Sequence, residues 1–217
     1  MLFINLKTYP NGTGQIAKQF IIEAEKLYNE IQVPICFIVQ TVDMWLITPS
    51  THLPIWAQHV DNIEPGKNTG WVLGEALIEA GAKGVLLNHA EHKLPLADIR
   101  SIIRRYQSKD FQIMVSSRTP EETMELDLER PDYLSLEPSL YIGTGTSVLN
   151  VAPHLISNLS GKVKIPLIVG SGIQSTDLLE KGLKLGAKGF LISSAILLDP
   201  NPLEKLKEFM IAYKEVL

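Results

Sequence analysis

The sequence predicts an α/β fold, a single (β/α)8 barrel, and three observations carry that expectation. Eight short aliphatic and β-branched runs alternate with longer amphipathic stretches. The runs are continuously apolar, as strands buried on both faces are, and no two are joined by a hairpin turn. Each run also ends in polar or glycine residues, which a closed barrel would gather at one rim. An open doubly wound sheet is the rival. Its dinucleotide fingerprint needs G-x-G-x-x-G, and neither Gly143-Thr144-Gly145 nor Gly170-Ser171-Gly172 completes it.

The units follow in order. Leu2–Leu6 leads to Gly14–Asn29, whose Ile16, Phe20, Ala24 and Leu27 recur at helical spacing. Ile35–Val39 leads to a shorter segment around Trp45, Ile55–Ala57 to Val72–Ala80, and Val85–Leu87 to Leu94–Tyr106 with Leu96, Ile99, Ile103 and Tyr106 on one face. Gln112–Val115 leads to Pro120–Glu129, where proline suits a first helical position. Tyr133–Leu136 leads to Pro153–Leu159, Ile165–Val169 to Thr176–Leu185, and Gly189–Ile192 to Leu203–Leu217. No linker or low-complexity tract interrupts the 217 residues, so one catalytic domain over 1–217 is expected.

Composition narrows the function. Apolar residues are 45% and charged residues 20%, ordinary for a globular chain with a sizeable core. A net charge of −4 argues against general nucleic-acid binding, while leaving room for a small anion at a locally positive site. A single cysteine, Cys36, excludes an intrachain disulfide and a cysteine-based zinc cluster. The five histidines lack H-x-H or H-E-x-x-H spacing, so no metal site is expected. No apolar run is long enough to span a membrane and no signal peptide is visible; a cytoplasmic protein is expected.

The strand ends hold the candidate chemistry. Asn5 and Lys7 close the first run, and period-two geometry places them on one side. A cation there can attract a phosphate or stabilise developing negative charge. His89 closes the fourth run in Leu87-Asn88-His89-Ala90-Glu91. A helix starting just after it would keep the imidazole neutral, able to polarise a carbonyl. His59 either lines the rim or packs beneath it; His52 and His92 belong to the surface. Glu137 closes the sixth run, and Pro138 biases it toward an extended backbone. Ser139 to Gly145 then reads as a water-excluding lid with glycine hinges. Gly170-Ser171-Gly172 and Ser193-Ser194 follow the last two runs, where many barrels bind phosphate; a short helix beginning near Ser194 would aim its N-terminus at the anion.

Taken as an ordered set, these segments resemble the triosephosphate isomerase family in its short archaeal-type form, whose barrel is the TIM barrel. The carriers are Asn5-Leu6-Lys7-Thr8-Tyr9, Ala57-Gln58-His59-Val60-Asp61, Thr69-Gly70, Leu87 to Glu91, Glu137-Pro138, Ile142 to Gly145, Gly170 to Ile173 and Gly189 to Ala195. The resemblance implies cofactor-free interconversion of glyceraldehyde 3-phosphate and dihydroxyacetone phosphate through an enediolate. It implies Glu137 as the base shuttling a proton between C1 and C2, and His89 as the neutral electrophile. Lys7 is implied as the cation near oxyanion and phosphate, Asn5 as its polar neighbour, and Glu91 as a buried carboxylate orienting the lysine. Gly143, Gly172, Ser193 and Ser194, with Ser171 between the glycines, are implied as the phosphate cradle. Thr69 matches a residue that reaches a neighbouring subunit, implying a homodimer or homotetramer. The chain departs from the family at Ala90, which removes a hydroxyl beside His89, at the lid Ser139-Leu140-Tyr141, at Ser193-Ser194 and at Trp71. Two alternatives share the phosphate cradle: another phosphate-binding barrel isomerase, and a non-catalytic barrel that binds phosphorylated metabolites.

Overall fold

The computed structural model describes residues 1–107, 109–138, 146–170 and 172–217. Eight parallel strands close on themselves in sequence order: β1 Leu2–Asn5, β2 Ile35–Val39, β3 Ile55–Ala57, β4 Gly84–Leu87, β5 Gln112–Ser117, β6 Tyr133–Leu136, β7 Leu167–Val169 and β8 Gly189–Ile192. Closure is made where Leu2, Phe3 and Ile4 pair with Phe190, Leu191 and Ile192. The fold is the expected (β/α)8 barrel, and a closed sheet leaves no strand edge unpaired.

The outer ring consists of α1 Gly14–Ile31, α2 Met44–Ile47, α3 Gly74–Glu79, α4 Leu96–Tyr106, α5 Pro120–Asp127, α6 Val148–Val151, α7 Pro153–Ser160, α8 Asp177–Lys184, α9 Ser194–Leu197 and α10 Pro202–Glu215. Short α9 begins at Ser194, as the sequence suggests. The one-turn α6 after β6 has no counterpart in the expected unit count. The buried stripe of α1 also differs from expectation: Ala17, Ile21, Ala24 and Ile31 face the sheet, while Ile16 is 58% exposed. Either stripe satisfies i, i+4 spacing, so the periodicity does not choose between them. The start of α5 follows local rules closely. Thr119 caps the Glu122 amide at 3.2 Å and Pro120 occupies the first turn.

Alternation along each strand divides the interior in two. Outward residues pack beneath the helices in the larger core. Inward residues Phe3, Cys36, Ile38, Trp56, Leu86, Met114, Ile168 and Leu191 fill the barrel. Phe3 meets both Trp56 and Tyr133 edge-on at 5.2 Å, plugging the barrel below the site. Nearer the carboxyl ends the same inward parity carries Asn5, Ser116, Ser135 and Glu137, all buried. That change from apolar to polar along the axis places a polar chamber above a dry plug.

Candidate active site

Glu137 follows β6 directly and is 5% exposed. Its amide donates to Ser117 O at 2.8 Å, which ties the strand end to β5. Its Oε1 accepts from Ser116 Oγ at 2.8 Å and Ser135 Oγ at 3.3 Å, and its Oε2 lies 3.3 Å from His89 Nε2. Gly170 makes this placement possible: a Cβ there would stand 2.6 Å from Glu137 Cγ. Burial pushes the Glu137 carboxyl up; the neighbouring His89 ring, the Ser116 hydroxyl and the Lys7 ammonium outweigh it, and the net direction is down.

His89 is 7% exposed. The amide of Glu91 donates to its Nδ1 at 3.2 Å. A nitrogen that accepts cannot carry the proton, so the neutral ring is the Nε2–H tautomer, with its N–H directed at Glu137. The expected helix-terminus effect is corrected here, because α4 begins only at Leu96. Burial pushes the His89 ring down; the adjoining Glu137 carboxylate outweighs it and raises it above the ordinary histidine value in the ligand-free site. Asn88, just before it, adopts a left-handed backbone with φ 58°. Its Oδ1 accepts from Leu94 N at 3.1 Å, and its Nδ2 donates to Ser116 O and Glu122 Oε1 at 2.8 and 3.0 Å.

Lys7 lies two residues beyond β1 with φ 48°. The strand parity invoked for Asn5 and Lys7 therefore does not reach Lys7; the chain turns first. Asn5 instead accepts the Lys7 amide on Oδ1 at 3.1 Å, and Gln58 Nε2 donates to Lys7 O at 2.9 Å. Left-handed non-glycine residues cost about 1 kcal/mol or more each, and two of them here mark backbone held by its surroundings. Lys7 Nζ contacts Glu91 Oε1 at 2.6 Å, but Glu91 is 55% exposed. The carboxylate partnering the lysine is thus a surface group, a correction to the buried one expected.

These groups converge although they come from distant parts of the chain. Asn5, Lys7, Gln58, His59, His89 and Glu91 line one cavity of about 310 Å³, with Glu137 held against His89. His59 lines the rim, hydrogen-bonded to Asp61 at 3.1 Å and stacked on exposed His92 with ring centroids 4.1 Å apart. Burial lowers the His59 ring. After β7, Gly172 has φ 68°, and a Cβ would meet Thr146 O at 2.2 Å, so only glycine fits. Among the described residues the buried Ser193 Oγ has no hydrogen-bond partner, and Ser194 Oγ accepts from Gln174 Nε2 at 3.3 Å. A buried hydroxyl after β8 and a close-packed glycine turn after β7 are features that suit an incoming anion. Gly143, Ser171 and the lid Ser139 to Gly145 lie outside the described residues. Among the described residues no three His, Cys, Asp or Glu side chains are grouped to hold a metal, and no helix is long and apolar enough to cross a membrane.

Sequence reasoning assigned no role to Gln58, Ser116 or Ser135, and placed Gly170 in a phosphate-binding turn without its contact with Glu137. All but Ser135 stand among the polar or glycine strand ends. Inward parity with Met114 and Tyr133 is the signal that would have singled out the two serines.

A carboxylate and a tautomer-set imidazole in contact, with an ammonium group on the same cavity at the strands' carboxyl ends, make this chain a (β/α)8-barrel protein with a site equipped to move protons. Its lineage is equally plain. The triosephosphate isomerase family model matches residues 1–210, and the chain belongs to that family. It is 32% identical to a triosephosphate isomerase of Methanocaldococcus jannaschii over 215 residues, covering 97% of this chain and 98% of the relative. It is 31% identical to one of Methanothermus fervidus and 32% identical to one of Methanobrevibacter smithii, each covering 97% of both chains.

Proposed function

We propose that this protein interconverts D-glyceraldehyde 3-phosphate and dihydroxyacetone phosphate through an enediolate, as one catalytic domain over residues 1–217. The carrying observation is the 3.3 Å contact of His89 Nε2 with Glu137 Oε2 on the cavity that Lys7 lines. Glu137 removes the proton from one substrate carbon and returns it to the next. His89, as the Nε2–H tautomer, donates to the oxygens that exchange carbonyl and hydroxyl character. Lys7 offsets the negative charge that develops on those oxygens, and Asn5 holds the Lys7 backbone in place. Phosphate is held by Gly172, Ser193 and Ser194, joined by Gly143 and Ser171. The buried Ser193 hydroxyl, without a partner among the described residues, supports that assignment. The reaction calls on no cofactor.

The working form is a cytoplasmic homodimer or homotetramer, with Thr69 reaching a neighbouring subunit. A coupled assay with glyceraldehyde 3-phosphate tests the activity directly. Glu137→Gln keeps the shape and removes the base, so turnover should fall by at least about 10²-fold, the lower end for a general base. Wild-type turnover in that variant would remove Glu137 from the role. Ligand binding without isomerisation by the wild type would favour a non-catalytic phosphometabolite binder.

A further inference from the structure

Ala90 leaves no hydroxyl beside His89, yet the base is not without hydroxyl partners. They come from β5 and β6. The β5–β6 register sets Ser116 beside Ser135, and both direct their hydroxyls at Glu137 Oε1. Ser116 is 1% exposed, Ser135 0% and Glu137 5%, so these are interior contacts sheltered from water. We propose that Ser116 is a positioning residue for Glu137: its buried hydroxyl fixes one carboxylate oxygen and leaves the other turned to the His89 edge.

Three further features support this reading. Strand parity separates Ser116 from its neighbour: the Ser117 hydroxyl turns outward, to Thr123 Oγ1 at 2.7 Å and Ser135 O at 3.0 Å, and Ser117 meets Glu137 through its backbone carbonyl, not its side chain. The Ser116 backbone is itself anchored, because Asn88 Nδ2 donates to its carbonyl at 2.8 Å. Asn88 is held in turn by Glu122, which also takes Lys93 Nζ at 2.6 Å and the Arg118 amide at 2.7 Å. Finally, the carboxyl group occupies space that Gly170 leaves open by having no side chain: a Cβ there would lie 3.0 Å from Oε2. The hydroxyl donates to the ionised carboxylate, and a bond of that kind favours the charged form.

This inference rests on the isomerase reading, and the experiment separates the two. Ser116→Ala, Ser116→Thr and, as a control, Ser117→Ala are compared with wild type by the pH profile of kcat/KM and by 13C NMR titration of the Glu137 carboxyl. For Ser116→Ala the expected result is a kcat about tenfold lower with KM little changed, and an acid limb and carboxyl titration moved up by about one pH unit, the scale of one hydrogen bond to a charged group. Ser116→Thr, which retains the hydroxyl, should restore both. Ser117→Ala should leave the titration in place even where it lowers thermal stability. An unmoved Glu137 titration in a folded Ser116→Ala variant overturns the inference while wild-type turnover leaves the isomerase intact. Absence of triose-phosphate turnover in the wild type overturns the isomerase reading, and this inference with it.

Discussion

His89 Nδ1 accepts the Glu91 amide while His89 Nε2 faces the Glu137 carboxylate, so the two ring nitrogens have different, fixed duties. At pH 9, above the titration of an ordinary histidine, 15N NMR should find the proton on Nε2 and an acceptor-type Nδ1. The ring titrates upward of the usual value in the free enzyme because the Glu137 carboxylate favours its charged form. Lowering the pH should therefore protonate Nδ1 and weaken its hold on the Glu91 amide. A proton on Nδ1 at pH 9 would refute the assignment.

Lys7→Ala should damage catalysis and substrate capture far more than folding. The Lys7–Glu91 pair is half open to solvent, and exposed pairs are worth about 0–1 kcal/mol. Alanine inherits the same left-handed backbone, so no strain is relieved. Circular dichroism and thermal unfolding should remain near wild type while kcat/KM collapses. A variant that fails to fold would instead assign Lys7 a structural duty.

Gly170→Ala tests the seat of the base. Its new methyl would press on Glu137 Cγ at 2.6 Å. Overpacking of this kind costs about 1–3 kcal/mol. Displacing the carboxylate by about 1 Å is enough for a loss of around 10²-fold in turnover. Steady-state kinetics beside denaturant unfolding would separate the two effects; undiminished turnover would show that the base has room to spare.

Acid stability should depend on a cluster far from the site. Burial alone would raise the Glu75 carboxyl. Its own amide and hydrogen bonds from Lys109, Tyr106 and Arg105 outweigh that and take it down to about 2. A carboxyl whose folded value lies below its unfolded 4.5 contributes stability above pH 4.5 and loses it as the pH falls toward about 2. Glu75→Gln should therefore destabilise at neutral pH, by no more than about 1 kcal/mol for so exposed a group, and the gap to wild type should close on acidification. A gap independent of pH would refute the electrostatic account. Tyr106, sharing that carboxylate, is pushed up to about 12, first by burial and then by Glu75.

The barrel was legible because its signal is redundant: β2, β3, β6 and β8 begin and end where the apolar runs do. Glu137, His89 and Lys7 were legible because they terminate such runs, and termination alone places a residue at the rim. Local backbone reversal was not. Lys7 and Asn88 turn left-handed for reasons set by Gln58, Leu94 and Glu122, partners far along the chain or across a loop. The exposure of Glu91 escapes the sequence for a related reason: a family motif specifies who pairs with Lys7, whereas solvent access depends on the surrounding loops. The roles of Ser116 and Ser135 needed the β5–β6 register, which no single run encodes.

The aromatic plug beneath the site has an optical consequence. Trp56 is sealed inside the barrel against Phe3 and Tyr133, whereas Trp45 and Trp71 are 65% and 60% exposed. Emission from this protein should thus divide into a shielded, short-wavelength component and a more exposed, longer-wavelength one. Opening of the barrel interior can be followed through the first while the surface loops report through the second.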